Sequence, residues 1–300
     1  RFLAQVEHPH IVEIYNFVTF DGAGYIVMEY VGGTSLKAVL KQRMRKSGSY
    51  DPLPVDQALA YIIEILPAFQ YLHDLGLAYC DFKPDNLIQV GDDLKLIDLG
   101  GVRRLDDEDS AIFGTVGYQA PEVAKEGVSV ASDIYTIGRT LVVLTSEFRG
   151  YQTTYVGSLP TPDQVPAFAA YDSFYRLVLK ACATSPDDRF ASADEMRVQM
   201  LGVLREVVAQ DAKLERATTS APSRLFEDPT ISSDVLDWYN LPGLRLDPHD
   251  PQARFVEDVR AMAPHERPDA LRSVAPSPEV RIELARSGLQ RRDPGLVMVS

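Results

Sequence analysis

The sequence predicts an α+β fold dominated by helices, on three observations. Four long segments repeat apolar residues at three- and four-residue spacing. Two β-branched and aromatic runs flank a Gly-rich turn near the start, and three short strand-like runs lie between the first two long helical segments.

In chain order, Arg1 to Val6 reads as the end of a helix, stopped by His8-Pro9. Ile11–Val18 and Tyr25–Val31 read as strands, joined by the turn Asp21-Gly22-Ala23-Gly24. Gly32-Gly33 ends the second strand, and a short helix runs from Ser35 towards Arg43. Pro54 opens a longer helix from a favoured first-turn position. Its apolar face is Val55, Ala58, Leu59, Ile62, Ile63, Leu66, Phe69 and Leu72. Pro67 inside it is expected to kink it or remove a backbone bond, and His73 reads as a hydrogen-bonded core histidine. Strands are expected at Leu77–Cys80, Leu87–Val90 and Leu94–Ile97, the last two joined by Gly91-Asp92-Asp93. Helices follow at Val130–Ser146, Ser173–Cys182 and Ala193–Val208. After Gln210 the composition changes: Thr218–Ser223 reads as a linker, and a Pro-rich, weakly periodic tail runs to the end. Short helices are expected there around Arg254–Met262 and Val280–Ser287, and part of the tail reads as disordered.

With 300 residues and 45% apolar content the chain can bury one substantial core, with length left for a second element. A net charge of −13 argues against nucleic acid as a partner, because phosphate backbones are bound by concentrated Lys and Arg. Cys80 and Cys182 are far apart and lack metal-ligand spacing, which fits a reducing cytoplasm. No apolar run is long enough to span a membrane. Arg1 falls inside an apolar-periodic segment with no initiator Met or signal peptide, so the chain reads as the interior of a longer protein.

The chemistry concentrates in Tyr79-Cys80-Asp81-Phe82-Lys83-Pro84-Asp85-Asn86 and Ile97-Asp98-Leu99-Gly100. An Asp, a Lys two residues on and an Asn three further supply a proton acceptor, a phosphate partner and a metal ligand; Asp98 supplies a second metal ligand. This set suits transfer of a phosphoryl group from a nucleotide to a hydroxyl, where positioning and charge neutralisation do most of the catalysis. Gly114-Thr115-Val116-Gly117-Tyr118-Gln119-Ala120-Pro121-Glu122, then Asp133-Ile134-Tyr135-Thr136-Ile137-Gly138, and finally Arg189 follow in order.

Together these motifs resemble the eukaryotic-type Ser/Thr protein kinases, from the end of the αC helix through the C-lobe, over residues 1 to about 210. Within them, Leu94–Gly100, Asp133–Leu141 and Val203–Asp211 resemble the actinobacterial protein kinase G type. The resemblance implies a protein-kinase-like fold: an N-lobe and hinge remnant at 1–33 with only two strands, a mostly helical C-lobe at 34–210, and a connector at 211–300. It also implies a rubredoxin-like metal-binding module upstream and TPR repeats downstream in the parent protein.

By resemblance, Asp81 is the base that accepts the substrate hydroxyl's proton, and Lys83 neutralises the γ-phosphate of ATP in flight. Thr115 bonds both and favours Ser/Thr acceptors on protein substrates. Asn86 and Asp98 hold Mg²⁺ through oxygen donors. Met28 stands at the gatekeeper position, the Glu29 carbonyl and Val31 backbone hold the adenine edge, and Ser35 and Leu87 complete the nucleotide site. Asp133 is expected to bond the catalytic-loop backbone, and Glu122 to pair with Arg189.

Three departures carry meaning. Leu99 replaces the usual Phe of the magnesium-binding loop and keeps its apolar packing. Tyr79-Cys80 replaces His-Arg, and the missing Arg is the one that gathers a phosphate on the activation loop. Asp106-Asp107-Glu108-Asp109 fills that loop, with Ser110 its only evident phosphosite, so activity is expected without loop phosphorylation. Arg149 to Ala170 carries Pro160, Pro162 and Pro166 and reads as a loop where the family has its αG helix. The Gly-rich loop, strand lysine and αC glutamate would lie before Arg1, so this segment alone is expected to bind ATP poorly and turn over little. Two other functions compete: a pseudokinase scaffold, opposed by intact Asp81, Lys83, Asn86 and Asp98, and a small-molecule phosphotransferase, opposed by Gly114–Glu122 and Asp133–Gly138.

Overall fold

In the computed structural model, residues 6–107, 114–210, 225–227 and 242–291 are described. The expected linker at 218–223, the activation-loop residues Glu108, Asp109 and Ser110, and most of the expected first helix lie outside them; Val6 is buried and in no helix. The chain divides into two compact units, Arg1–Thr218 and Thr219–Ser300.

The first unit begins with an antiparallel hairpin, β1 (Ile14–Phe20) and β2 (Ala23–Met28). Phe20 pairs with Ala23, so the loop is Asp21-Gly22 alone, both at positive φ (50° and 75°). Such a two-residue turn matches the twist of the strands, which is why it displaces the four-residue turn expected. Only Ile14 of the hairpin is buried; every other residue is exposed on both faces.

A three-stranded sheet of order β3-β5-β6 follows, from β3 (Thr34–Ser35), β5 (Leu87–Val90) and β6 (Asp93–Leu96). Ile11 bridges to Leu96 at its edge. The strand expected at Leu77–Cys80 is shorter: β4 (Leu77–Ala78) pairs with β7 (Arg103–Arg104). Cys80 leaves it with φ at 71°, a left-handed conformation that no strand accommodates.

Helix α1 (Leu36–Ser47) is capped by the Ser35 hydroxyl, which accepts the Ala38 amide at 3.2 Å. Helix α2 (Val55–Asp74) takes Pro54 as its N-cap, just outside the first turn. It buries the predicted face, with Ile65 fully buried and Ile63 half-buried. Pro67 is exposed and the helix continues through it, so the lost backbone bond falls on the solvent side. After α3 (Val123–Glu126), α4 (Val130–Thr145) is capped by a reciprocal Ser129–Ser132 box and is buried almost all round. It packs against α2 and against α6 (Asp172–Ala181), while α7 (Ala193–Gln210) lies along α2. One apolar core from Val6 to Val207 results. Between α4 and α6 the chain runs in turns, with α5 (Pro166–Ala170) as a single short helix.

In the second unit the described residues form α8 (Ala253–Arg260), α9 (Arg267–Arg272) and α10 (Pro278–Arg291). Val256, Val259, Leu271, Val280 and Leu284 make a small core, with Arg260 paired to Glu283 at 2.8 Å. Helix α9 was not expected, because six residues are too few to show a period. Among the described residues no helix is long and apolar enough to cross a membrane.

Candidate active site

Helix α4 and the β4–β7 ladder position the loop that carries Asp81. Asp133, fully buried on the first turn of α4, accepts the Tyr79 and Cys80 amides at 2.7 and 2.8 Å. Its Oδ2 also lies 2.9 Å from His73 Nε2, which makes His73 the bonded core histidine the sequence suggested. Two turns further along α4, Thr140 donates to the Phe82 carbonyl at 3.1 Å. The Phe69, Tyr79 and Phe82 rings pack edge to face beneath the loop.

Asp81, Lys83 and Thr115 converge. Lys83 Nζ donates to Asp81 Oδ2 at 2.5 Å and to Thr115 Oγ1 at 2.7 Å, and the Thr115 hydroxyl donates to Asp81 Oδ1 at 2.6 Å. Asn86, buried at the end of a 3-10 turn begun by Pro84, donates its amide to the Asp81 carbonyl at 2.9 Å. This bond fixes which end of the Asn86 side chain is nitrogen and leaves its oxygen as the acceptor. Asp98 sits at φ 61°, and its Oδ1 accepts the Gly100 amide at 3.1 Å.

Among the described residues no cluster of three or more His, Cys, Asp or Glu forms a metal cage. Two oxygen-bearing side chains, Asn86 and Asp98, suit Mg²⁺, which is held by one or two protein groups plus phosphates. The remaining candidates are more scattered. Met28 ends β2 and is 48% exposed. The Glu29 side chain turns to Lys95 at 2.5 Å, and that ammonium holds its carboxyl below the usual range. Val31 is half-buried, the Ser35 hydroxyl caps α1, and Leu87 is fully buried in the core.

Two contributors escaped the sequence reading. The Tyr79 hydroxyl donates to the Ile97 carbonyl at 2.5 Å, tying the Asp81 loop to the residue before Asp98. Burial, aided by nearby Asp98 and Asp81, pushes the Tyr79 phenol far up, so it stays a donor. Arg139 is the second: it lies in the Asp133–Leu141 run, but nothing local in the sequence names its partners, the carbonyls of Gly117, Tyr151, Tyr155 and Ser158. Cys80 points into the protein; burial first and Asp133 second push its thiol up, which leaves it inert as a nucleophile. Glu122 and Arg189 form the expected buried pair, at 2.6 and 2.8 Å.

Residues 1–195 match the protein kinase domain family. The chain belongs to that family. It is 50% identical over 232 residues to the serine/threonine-protein kinase PknG of Mycobacterium leprae, covering 75% of this chain and 29% of that protein. PknG of Mycolicibacterium smegmatis shows the same identity and coverage. The chain thus spans less than a third of the length of these curated relatives. Among solved structures it is similar to a point mutant of the Mycobacterium tuberculosis PknI kinase domain. The TM-score is 0.53 at 27% identity, covering 67% of this chain and 74% of that one. The fold is therefore the α+β protein kinase fold.

Proposed function

We propose that this chain carries the acceptor and metal side of a serine/threonine protein kinase that moves the γ-phosphate of ATP to Ser and Thr hydroxyls of protein substrates. The observation that carries the proposal is the closed Asp81–Lys83–Thr115 triangle. Thr115 already presents a hydroxyl to an Asp81 oxygen, the bond an acceptor hydroxyl makes as it gives up its proton. Lys83 lies beside both, and its ammonium would neutralise charge that develops on the phosphoryl oxygens. Asn86 and Asp98 would hold Mg²⁺, which supplies charge neutralisation at the phosphates. Met28, the Glu29 carbonyl, the Val31 backbone, Ser35 and Leu87 would bound the adenine and ribose.

Inert Cys80 in place of a phosphate-gathering Arg supports activity without loop phosphorylation. Ser110→Ala in the full-length protein is expected to keep its rate in a radiolabelled substrate assay; loss of most activity would end that idea. A cytoplasmic location fits the two free thiols. The length of the relatives leaves room for the rubredoxin-like and TPR modules that the resemblance implies. Phosphoserine or phosphothreonine found in a protein acceptor, absent when Asp81 is changed to Asn, is the deciding result. A scaffold without catalysis would give none, and a small-molecule phosphotransferase would label only its low-molecular-weight acceptor.

A further inference from the structure

Helix α1 gathers cations in a chain that is acidic as a whole. The chain carries 43 Asp and Glu against 30 Lys and Arg, yet no acidic residue falls between Glu29 and Asp51. Lys37, Lys41, Arg43, Arg45 and Lys46 all lie in α1. Two of them are paired: Lys37 with Asp85 at 2.6 Å and Arg43 with Asp51 at 2.8 Å. Lys41, Arg45 and Lys46 are exposed and make no ion pair with another described residue. Arg45 and Lys46 also suit the last turn, where free carbonyls leave negative partial charge. Lys41 stands before that turn, so the helix end does not account for it. An exposed helix relieves like charges with acids three or four residues away, and α1 has none.

The cationic row starts at the catalytic loop. Helix α1 packs on the 3-10 turn Pro84–Asn86, and Lys37 reaches Asp85, which stands between Lys83 and Asn86. Lys37, Lys41 and Arg45 are four apart and share one face, so the row leads away from the Asp81 loop over about 12 Å. An extended peptide rises about 3.3 Å per residue and follows that row with about four residues. A helix that lies on a membrane turns its apolar side to lipid, whereas Leu36 and Leu40 of α1 are buried in the core. Three unpaired cations on a chain of net charge −13 are also a poor footprint for nucleic acid. A short run of carboxylates on a peptide matches the row in sign and in length.

We propose that Lys41, Arg45 and Lys46 form a docking surface for an acidic stretch of the protein substrate, beside the acceptor Ser or Thr and outside the Asp81 site. The proposal rests on the kinase reading above and names the chemistry of the substrate that the site takes. The Lys37–Asp85 pair joins α1 to the loop, and the docked carboxylates meet the three cations beyond it. Because these charges face solvent, they act on substrate capture, and salt screens them.

The test uses the full-length protein and three synthetic peptides, each with one Thr acceptor flanked by four Glu, four Gln or four Lys. At about 0.1 M salt the unmodified protein is expected to show a KM about tenfold lower for the Glu peptide than for the Gln peptide, with the Lys peptide poorest. At about 1 M salt, where the screening length falls to about 3 Å, that advantage shrinks below about twofold. Reversing the three charges together (Lys41→Glu, Arg45→Glu and Lys46→Glu) abolishes the advantage at low salt, while kcat and KM for ATP stay within about twofold. Replacement by Gln at the same three positions gives an intermediate loss and decides the matter if the reversed protein does not fold. Equal KM for the Glu and Gln peptides in the unmodified protein, or an advantage that survives in both variants, overturns the proposal. So does binding to phosphatidylserine vesicles or to a DNA duplex that is tighter than to the Glu peptide and is lost with the three charges. Absence of phosphorylation of every peptide would sink the kinase reading instead, while the fluorescence anisotropy of a labelled Glu peptide would still report on the row.

Discussion

The Asp81 loop and the β1–β2 hairpin sit at opposite extremes of how a backbone is held. The loop is gripped from below by buried polar side chains: Asp133 and Thr140 of α4 bind its amides and a carbonyl, and Tyr79 ties it to Ile97. The hairpin holds its shape through its own ladder and a two-residue turn, with one buried side chain and its far end linked by Glu29 to Lys95. A loop with little regular structure is thus more firmly placed than a regular pair of strands. Order in this molecule follows buried hydrogen bonding rather than secondary structure, since an isolated hairpin is marginal in water.

That contrast can be broken or sharpened by substitution. The largest effect is expected from Asp81→Asn, which keeps the shape of the loop but removes the proton acceptor. Phosphorylation of a protein substrate should fall by about 10²–10⁴-fold, with the melting temperature nearly unchanged. Next comes Asp133→Ala, which leaves the buried Tyr79 and Cys80 amides and His73 without their partner. A loss of roughly 3 kcal/mol or more in urea unfolding is expected, with activity lost in parallel. If Asp133→Ala left the unfolding midpoint in place, the buried network would not be what orders the loop.

In the hairpin, Gly22→Ala places a Cβ in open space at φ 75°, so its cost is backbone strain alone, about 1 kcal/mol. It should speed amide exchange in β1 and β2 without moving the global transition. Lys95→Met is the mildest: a partly exposed pair contributes less than about 1 kcal/mol. The Glu29 carboxyl is depressed in the folded state, so its stabilising effect is present at neutral pH and fades as pH falls through that lowered value. Protection factors in β2, taken against the intrinsic exchange rate at each pH, should therefore drop on acidification in the unmodified protein and show no such step in Lys95→Met.

The sequence was most legible where a feature repeats or falls in a known order. Helices α2, α4, α6 and α7 declare themselves by apolar spacing, and Asp81, Lys83, Asn86 and Asp98 by their intervals. Legibility failed where the decisive contact crosses many residues and ends on main chain. Tyr79 reads as a substitution for His until its hydroxyl is seen on Ile97, eighteen positions away. Cys80 reads as a strand residue because neither its φ nor the position of Asp133 is local information. Arg139 gives no hint of its partners, since any residue type supplies a carbonyl. In the second unit α8 and α10 were expected but their shared core was not, because α9 is too short to repeat and the apolar residues meet only across helices.

The side chains of α4 reach almost entirely for main-chain atoms: the amides of Tyr79 and Cys80 and the carbonyls of Phe82, Gly117, Tyr151, Tyr155 and Ser158. A grip on backbone is indifferent to which residue is gripped. Except at positions of positive φ such as Gly117 and Cys80, mutation can therefore rewrite those loops one residue at a time without releasing them. Such a scaffold inherits its geometry through one helix and leaves its surface loops free to diverge, and a lineage could exchange His-Arg for Tyr79-Cys80 while the aspartate that follows stayed in place.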